Sequence, residues 1–460
     1  MELRDGVVAV VKGDCPTCRL VAPVLATLDV QVVSEDADAG LATSYRLGID
    51  AVPTLVRLKA GAEVERLVGW ERAAWRSFTG VADLGEDLPE RRPGCGSRTQ
   101  EPGVADELAV RFGSSRLGAR RVELGPLEDE AEAIYDRGWT DGLPVVAPTE
   151  VRVLRMLEGT TRAPDEVVAI VPPDLVDCTV EKVAINAVMA GCRPEYLPVV
   201  LAAVEAACTG EFNGHGLLAT TYFSGPVVVV NGPVRHAIGM NSGVNALGQG
   251  NRANLAVGRA LQLVIRNVGG GVPGGVDRAT LGNPGKIAFC FAEDEEGSPF
   301  EPLSVSRGAA AGASAVTLFA GAGVQPVVDQ LSRDPESLAR TLAACLRTVA
   351  HPKLVIAFDA LVVVAPEHGR VFRQAGWDRA RLLAELDGLL QLPGAELVRG
   401  AGGMAEGVPE RLADSTLPKF RPGGLLVAHA GGRAGLFSAI VGGWASGETG
   451  SQPVTREVGT

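Results

Sequence analysis

The stretch "KGDCPTCRLVAP", residues 12–23, decides how the first part of the chain is read. Just before it, "GVVAVVK" at 6–12 is an apolar run of strand length. After it, "RLVAPVLATL" carries apolar residues at helical spacing. Cys15 and Cys18 therefore lie between a strand and a helix, with Cys15 at the helix N-terminus. Free amide N–H groups and the helix dipole favour thiolate over thiol there. Working outward, "DVQVVSED" reads as a strand and "AGLATSYRLG" as a helix. "AVPTLVRLKAG" and "AEVERLVGW" read as a hairpin, and "ERAAWRSFTG" as a further helix.

A zinc site needs about four ligands, and the sequence offers no second CxxC and no close histidine pair. A purely structural disulfide does not suit a reducing compartment. Over residues 1–83 the order of elements resembles the thioredoxin family. Pro23 stands five residues after Cys18, as the family's helix-kinking proline does, and "IDAVPTLV" places Pro53 in its cis-proline loop. The resemblance implies a thioredoxin-like fold, a redox-active disulfide, and Pro53 cis beside the cysteines. It also implies a thiol reductant or thioredoxin reductase-like donor as partner. Cys15 is expected to attack and Cys18 to resolve, handling electrons or sulfur. Three departures stand out: Asp14 replaces the tryptophan before the motif, "CPTC" replaces "CGPC", and "VVAVV" lacks the family's buried acid.

At 460 residues the chain is expected to form about two or three domains. Its 46% apolar content and 58 glycines indicate a loop-rich α/β protein. The net charge of −12 is spread along the chain without a basic stripe, so no nucleic-acid partner is expected. Runs such as "VVVVNGP" are strand-length, so no membrane partner is expected either. The opening "MELRDGVVAVVKGD" lacks the apolar core and cleavage site of a signal peptide, and the expected location is cytoplasmic. Of the eight cysteines, at 15, 18, 95, 178, 192, 208, 290 and 345, only the first two are close in sequence.

Residues 84–130, "LGEDLPERRPGCGSRTQEPGVADELA" and onward, have linker composition. Cys95 sits there in "PGCGS", either as an incidental surface thiol or as a shuttle that takes electrons or sulfur from Cys15.

Residues 131–460 read as a larger α/β domain with a two-fold internal pseudo-repeat, in halves 131–300 and 301–460. Helices "TVEKVAINAVMAGC" and "EYLPVVLAAVEAAC" lead to the strand "GPVVVVNGP"; the helix "ESLARTLAACLRTVA" leads to "DALVVVAPEHG". Each strand ends in a loop carrying proline and histidine, where α/β sheets place their sites. The densest polar stretch is "GMNSGVNALGQGNRAN" at 239–254. Amide side chains, helix N–H groups and Arg252 suit an anionic or amide ligand. Asn231, His236, Asn241, Asn245, Arg252 and His368 are therefore expected to line one pocket for a small-molecule substrate. His215, Glu367 and His368 are the residues a divalent metal would draw on, and "AEDEEGSP" at 292–299 reads as a solvated loop, with a divalent-cation site as the alternative. This region is similar to an uncharacterised bacterial family through "RGWTDGLPVVAPT", "EKVAINAVMAGC", "VVNGPVR", "MNSG" and "FAEDEEGSP". That similarity implies no reaction.

Three function classes follow. In the first, a thiol-dependent redox or sulfur-transfer enzyme, the dithiol serves a large domain acting on a small polar or anionic substrate, with no cofactor beyond the disulfide. The second is a metal-dependent lyase or hydrolase with an accessory thioredoxin-like domain. The third is a non-enzymatic redox-sensing or soft-metal-binding module. Homo-oligomerisation is left open.

Overall fold

Val8, Ala9 and Val10 are fully buried in β1 (Gly6–Val11) because both faces of that strand are covered. Val8 and Val10 join a core with Cys15, Cys18, Val52 and Val56, whereas Ala9 faces Trp70, Trp75 and Phe78. The computed structural model describes residues 3–113, 117–444 and 450–459, and it divides into two compact units, Met1–Arg116 and Leu117–Thr460.

In the first unit, α1 (Pro16–Leu25) crosses from β1 to the parallel β2 (Val30–Ser34), and α2 (Asp38–Arg46) follows. Next come β3 (Ala51–Val52), β4 (Thr54–Lys59), β5 (Ala62–Val68), β6 (Trp70–Glu71) and α3 (Arg72–Thr79). The sheet order is β2-β1-β4-β5, with β4 antiparallel to both its neighbours.

The linker expected at 84–130 is corrected here. Residues 84–113 fold onto the first unit through β7 (Arg91–Arg92), β8 (Cys95–Gly96) and α4 (Val104–Phe112). β7 pairs with β6, and β8 pairs with β3. The Trp70 indole donates to Pro89 O at 2.7 Å, and Phe112 meets Tyr45 with ring centroids 6.2 Å apart. Linker composition misleads here because the segment is held by backbone pairing, which leaves no apolar periodicity to read. The segment also supplies a role for a buried acid. Glu35 is 2% exposed and accepts from the Ser44 and Ser97 hydroxyls and from Arg98 N–H at 2.8 Å.

The second unit begins before the expected residue 131, since Gly118 and Ala119 N–H groups already bond the Glu181 carboxylate at 2.8 and 3.0 Å. It carries α5 (Glu130–Asp136), α6 (Glu150–Leu157), a hairpin of β9 (Val167–Val171) and β10 (Val176–Thr179), α7 (Val180–Met189), α8 (Leu197–Ala207) and α9 (Gly214–Ala219). Then follow β11 (Gly225–Asn231), α10 (Val234–Ala237), α11 (Arg252–Asn267), β12 (Cys290–Ala292), α12 (Leu303–Ser306) and β13 (Ala315–Val328). The rest is α13 (Pro335–Leu346), β14 (Ala360–Val364), α14 (Pro366–Gln374), α15 (Arg379–Leu389), β15 (Gln391–Pro393), β16 (Thr416–Pro418), β17 (Leu425–His429), β18 (Phe437–Gly443) and β19 (Val454–Glu457).

The main sheet runs β12-β11-β13-β18-β14-β17, with β19 also on β13. β11 is parallel to β12 and antiparallel to β13; β14 is parallel to β17 and antiparallel to β18. The sheet curls over on itself. Val229, Phe291, Phe319, Leu361, Val363 and Ala428, from five of its strands, share one inner core, and the ends of its outermost strands meet where Asp294 N–H donates to His429 O at 2.7 Å. Alternate residues face outward into two helical layers. Val228 and Val316 pack under α7, α8 and α11, and Val362 and Ile440 under α13, α14 and α15. With both faces covered, β11 is buried at every position. Among the described residues no helix is long and apolar enough to cross a membrane.

Candidate functional site

Cys15 is the N-cap of α1, with extended backbone, and Pro16 starts the helix without needing an N–H partner. The Cys15 sulfur accepts from Cys18 N–H at 3.2 Å and lies 3.5 Å from Val52 O. The Val52–Pro53 peptide is cis, and Val52 joins Cys15 and Cys18 in one core cluster. All eight cysteines are free thiols.

Burial alone would push the Cys15 thiol up. Hydrogen bonds from the Cys95 and Cys18 thiols and from the Cys18 and Thr17 amides outweigh it and hold Cys15 below the ordinary thiol range. Burial pushes Cys18 strongly the other way, and a Cys15 thiolate beside it adds to the rise. The pair is thus split into a nucleophile and a protonated partner, from the N-cap position that the sequence indicates. Exposure does not separate them, however. Cys15 is 1% and Cys18 4% exposed, because Val52 and its neighbours cover both.

Cys95 is half-buried beside them. It pairs with Val52 across the β3–β8 ladder and packs against the cluster that holds Cys15 and Cys18. The neighbouring Cys15 sulfur, then burial, pushes Cys95 up.

No family model matches the chain. Two curated relatives are thioredoxin of Bacillus subtilis, 36% identical over 63 residues, and thioredoxin H4 of Arabidopsis thaliana, 36% identical over 61 residues. Each alignment covers 12% of this chain, and they span 61% and 51% of those proteins respectively. Among solved structures, oxidised thioredoxin O2 of Arabidopsis thaliana is 29% identical, covering 15% of this chain and 68% of that one, with a TM-score of 0.15. The N-terminal region is thioredoxin-like.

Further contacts frame the dithiol. Thr17 donates its hydroxyl to Pro93 O at 2.8 Å, and Gly13 N–H donates to Asp36 at 2.8 Å. Arg98 pairs with that same Asp36 carboxylate at 2.8 Å.

In the second unit the six residues expected to line one pocket each have partners of their own. Asn231 is fully buried and donates to Glu293 at 2.6 Å and Glu295 at 2.9 Å. His236 is exposed and pairs with Glu296 at 3.0 Å. Asn241 and Asn245 bond the backbone of their own loop, at Val244 O and Gln249 O. Arg252 is exposed and donates to Gly191 O. His368 is buried between Ser438, at 2.8 Å, and Asp329 O, at 3.0 Å. The asparagine-rich loop consumes its own amides. Buried Asn254 alone ties Asn241 N–H, Asn241 O and Ala246 O, and Asn251 caps α11. Polar density there closes a loop.

The metal candidates are likewise apart in role. His215 is exposed, the Glu367 carboxylate accepts from Gly435 N–H, and His368 is engaged as above. Among the described residues no group of three or more His, Cys, Asp or Glu is placed to hold a metal. Nor is the acidic stretch a solvated loop. Glu293 is fully buried, and burial pushes its carboxyl up; Arg235 bridges Glu295 and Glu296 at 3.0 Å each.

Sequence reasoning missed a cavity of about 810 Å³ flanking α5, α6 and α7, bordered by Arg120, Trp139, Glu150, Lys182, Asn186 and Asn267. Its residues come from several separate segments, so no local pattern announces it. In this unit burial pushes the thiols of Cys178, Cys192 and Cys208 up to about 12.

Proposed function

We propose that this protein is a thiol–disulfide oxidoreductase in which the Cys15–Cys18 dithiol serves a second unit acting on a small polar or anionic substrate. The observation that carries this is the polarisation of the pair: Cys15 held toward thiolate at the α1 N-cap, Cys18 held protonated behind it. The Cys15 thiolate attacks a substrate disulfide, forming a mixed disulfide and releasing one substrate thiolate. Cys18 gives up its proton and attacks Cys15, closing the Cys15–Cys18 disulfide and releasing the second thiol. An external thiol reductant returns two electrons. For the second unit, support comes from the cavity beside α7, whose rim mixes Arg120 and Lys182 with Glu150 and paired asparagine amides. The palindromic pairing about β13 and β18 supports the internal repeat, with its boundary after Val328 instead of at 300/301, since β13 pairs with β11 of the first half.

Reduction of insulin disulfides by dithiothreitol tests the proposal. The full chain is expected to accelerate it and Cys15→Ser to abolish the acceleration. An undiminished rate in Cys15→Ser would overturn the assignment.

A further inference from the structure

We propose that Cys95 is a third redox thiol, which forms a disulfide with Cys15 in exchange for Cys18. This rests on the thiol-exchange reading of Cys15 and extends it to a residue outside the CxxC motif.

Three thiols converge on one peptide. The Cys15 sulfur lies 3.5 Å from Val52 O, Val52 is the direct ladder partner of Cys95, and Cys95 packs against the core cluster that holds Cys15, Cys18 and Val52. The Cys95 strand is clamped in that position. Ser97 N–H donates to Asp50 O at 2.9 Å, Arg98 N–H to Glu35 at 2.8 Å, and Thr17 to Pro93 O at 2.8 Å. Gly94 admits the close approach, since a Cβ there would lie 2.9 Å from Val52 O. Cys95 is also the only half-buried sulfur of the three, the other two being buried.

The step balances without an added oxidant. In the Cys15–Cys18 disulfide, the Cys95 thiolate attacks the Cys15 sulfur and a Cys15–Cys95 bond forms. The bond to Cys18 breaks, its electron pair stays on the Cys18 sulfur, and that sulfur takes up a proton. Burial favours the protonated form of Cys18, so the leaving thiolate is quenched where it is released. The disulfide thereby moves from a closed pair to a sulfur that solvent reaches.

Trypsin makes the exchange readable. Cleavage after Lys12, Arg19, Arg91 and Arg98 leaves Cys15 and Cys18 on one peptide, 13–19, and Cys95 on another, 92–98. Full-length Cys18→Ser and Cys18→Ser/Cys95→Ser chains are treated with glutathione disulfide, blocked with N-ethylmaleimide and digested. Cys18→Ser is expected to give the two peptides joined by a disulfide with loss of the glutathione adduct, and the double variant to keep glutathione on Cys15. The unmutated chain at limiting glutathione disulfide is expected to give some of the same joined pair, so the test does not depend on a variant folding. Should Cys18→Ser retain glutathione on Cys15 while Cys95 is blocked by maleimide, and the unmutated chain yield no joined pair, the Cys95 proposal is overturned and Cys15 exchange stands. Should Cys15 stay unmodified in every chain, both readings fall.

Discussion

Replacing Glu35 with alanine should release the Cys95 strand while leaving the CxxC helix in place. Glu35 accepts from Ser44 and Ser97 hydroxyls that are 0% and 1% exposed, and from the Arg98 amide. After truncation Ser97 still has Thr99 as a partner at 2.8 Å, whereas the Ser44 hydroxyl and Arg98 N–H lose the acceptor shown here. A buried donor left without a partner costs about 1–3 kcal/mol, so about 2 kcal/mol is expected in each of the two segments. At roughly 1.4 kcal/mol per tenfold, protection against local opening should fall by about thirtyfold in each. Amide hydrogen exchange read by mass spectrometry over 91–100 and 41–46 would show it, with α1 little changed. Protection in 91–100 within about threefold of the unmutated chain would refute the idea that Glu35 pins this strand.

Asp329 accepts from Thr341, from Ser332 twice and from Leu331. Burial alone would raise its carboxyl, but these donors prevail and hold it down to about 2. An unfolded aspartate titrates near ~3.9, so the contribution of about 2 kcal/mol is present above that pH and is lost as pH falls toward about 2. Asp329→Asn should therefore flatten the acid limb of urea-unfolding stability between about pH 4 and pH 2; an unchanged slope would contradict the assignment. Asn254→Ala should destabilise the second unit by about 2–4 kcal/mol, since three backbone groups lose their partner. Arg252→Ala, at an exposed position, should stay within about 1 kcal/mol in the same thermal-melting comparison.

The first fold was legible because each of its elements carries a local signal. The apolar run of β1 and the helical spacing after Cys18 each name a conformation on their own, and the thioredoxin resemblance implies the cis proline; the observed β1, α1 and cis Pro53 follow them. Residues 84–113 were not legible, since what holds them is backbone pairing and one distant carboxylate, Glu35. In the second unit β11 and β14 were readable as apolar runs. β13 was not, because glycines at 321 and 323 and Pro326 interrupt the longest strand of the sheet. The roles of the polar side chains were hidden for a related reason. Amides such as Asn254 look alike in sequence whether they bind a ligand or close their own loop, and only the partner decides.

Rate against pH for alkylation of Cys15 by limiting iodoacetamide tests the central claim most directly. The reactive species is the thiolate, and hydrogen bonds from Cys95, Cys18 and Thr17 lower the Cys15 thiol while burial raises Cys18. Cys15 should therefore be labelled before Cys18 at neutral pH, and its rate should persist as pH falls below the ordinary thiol range of about 8.5. Labelling of Cys18 first, or a Cys15 rate that rises only above that range, would contradict the account.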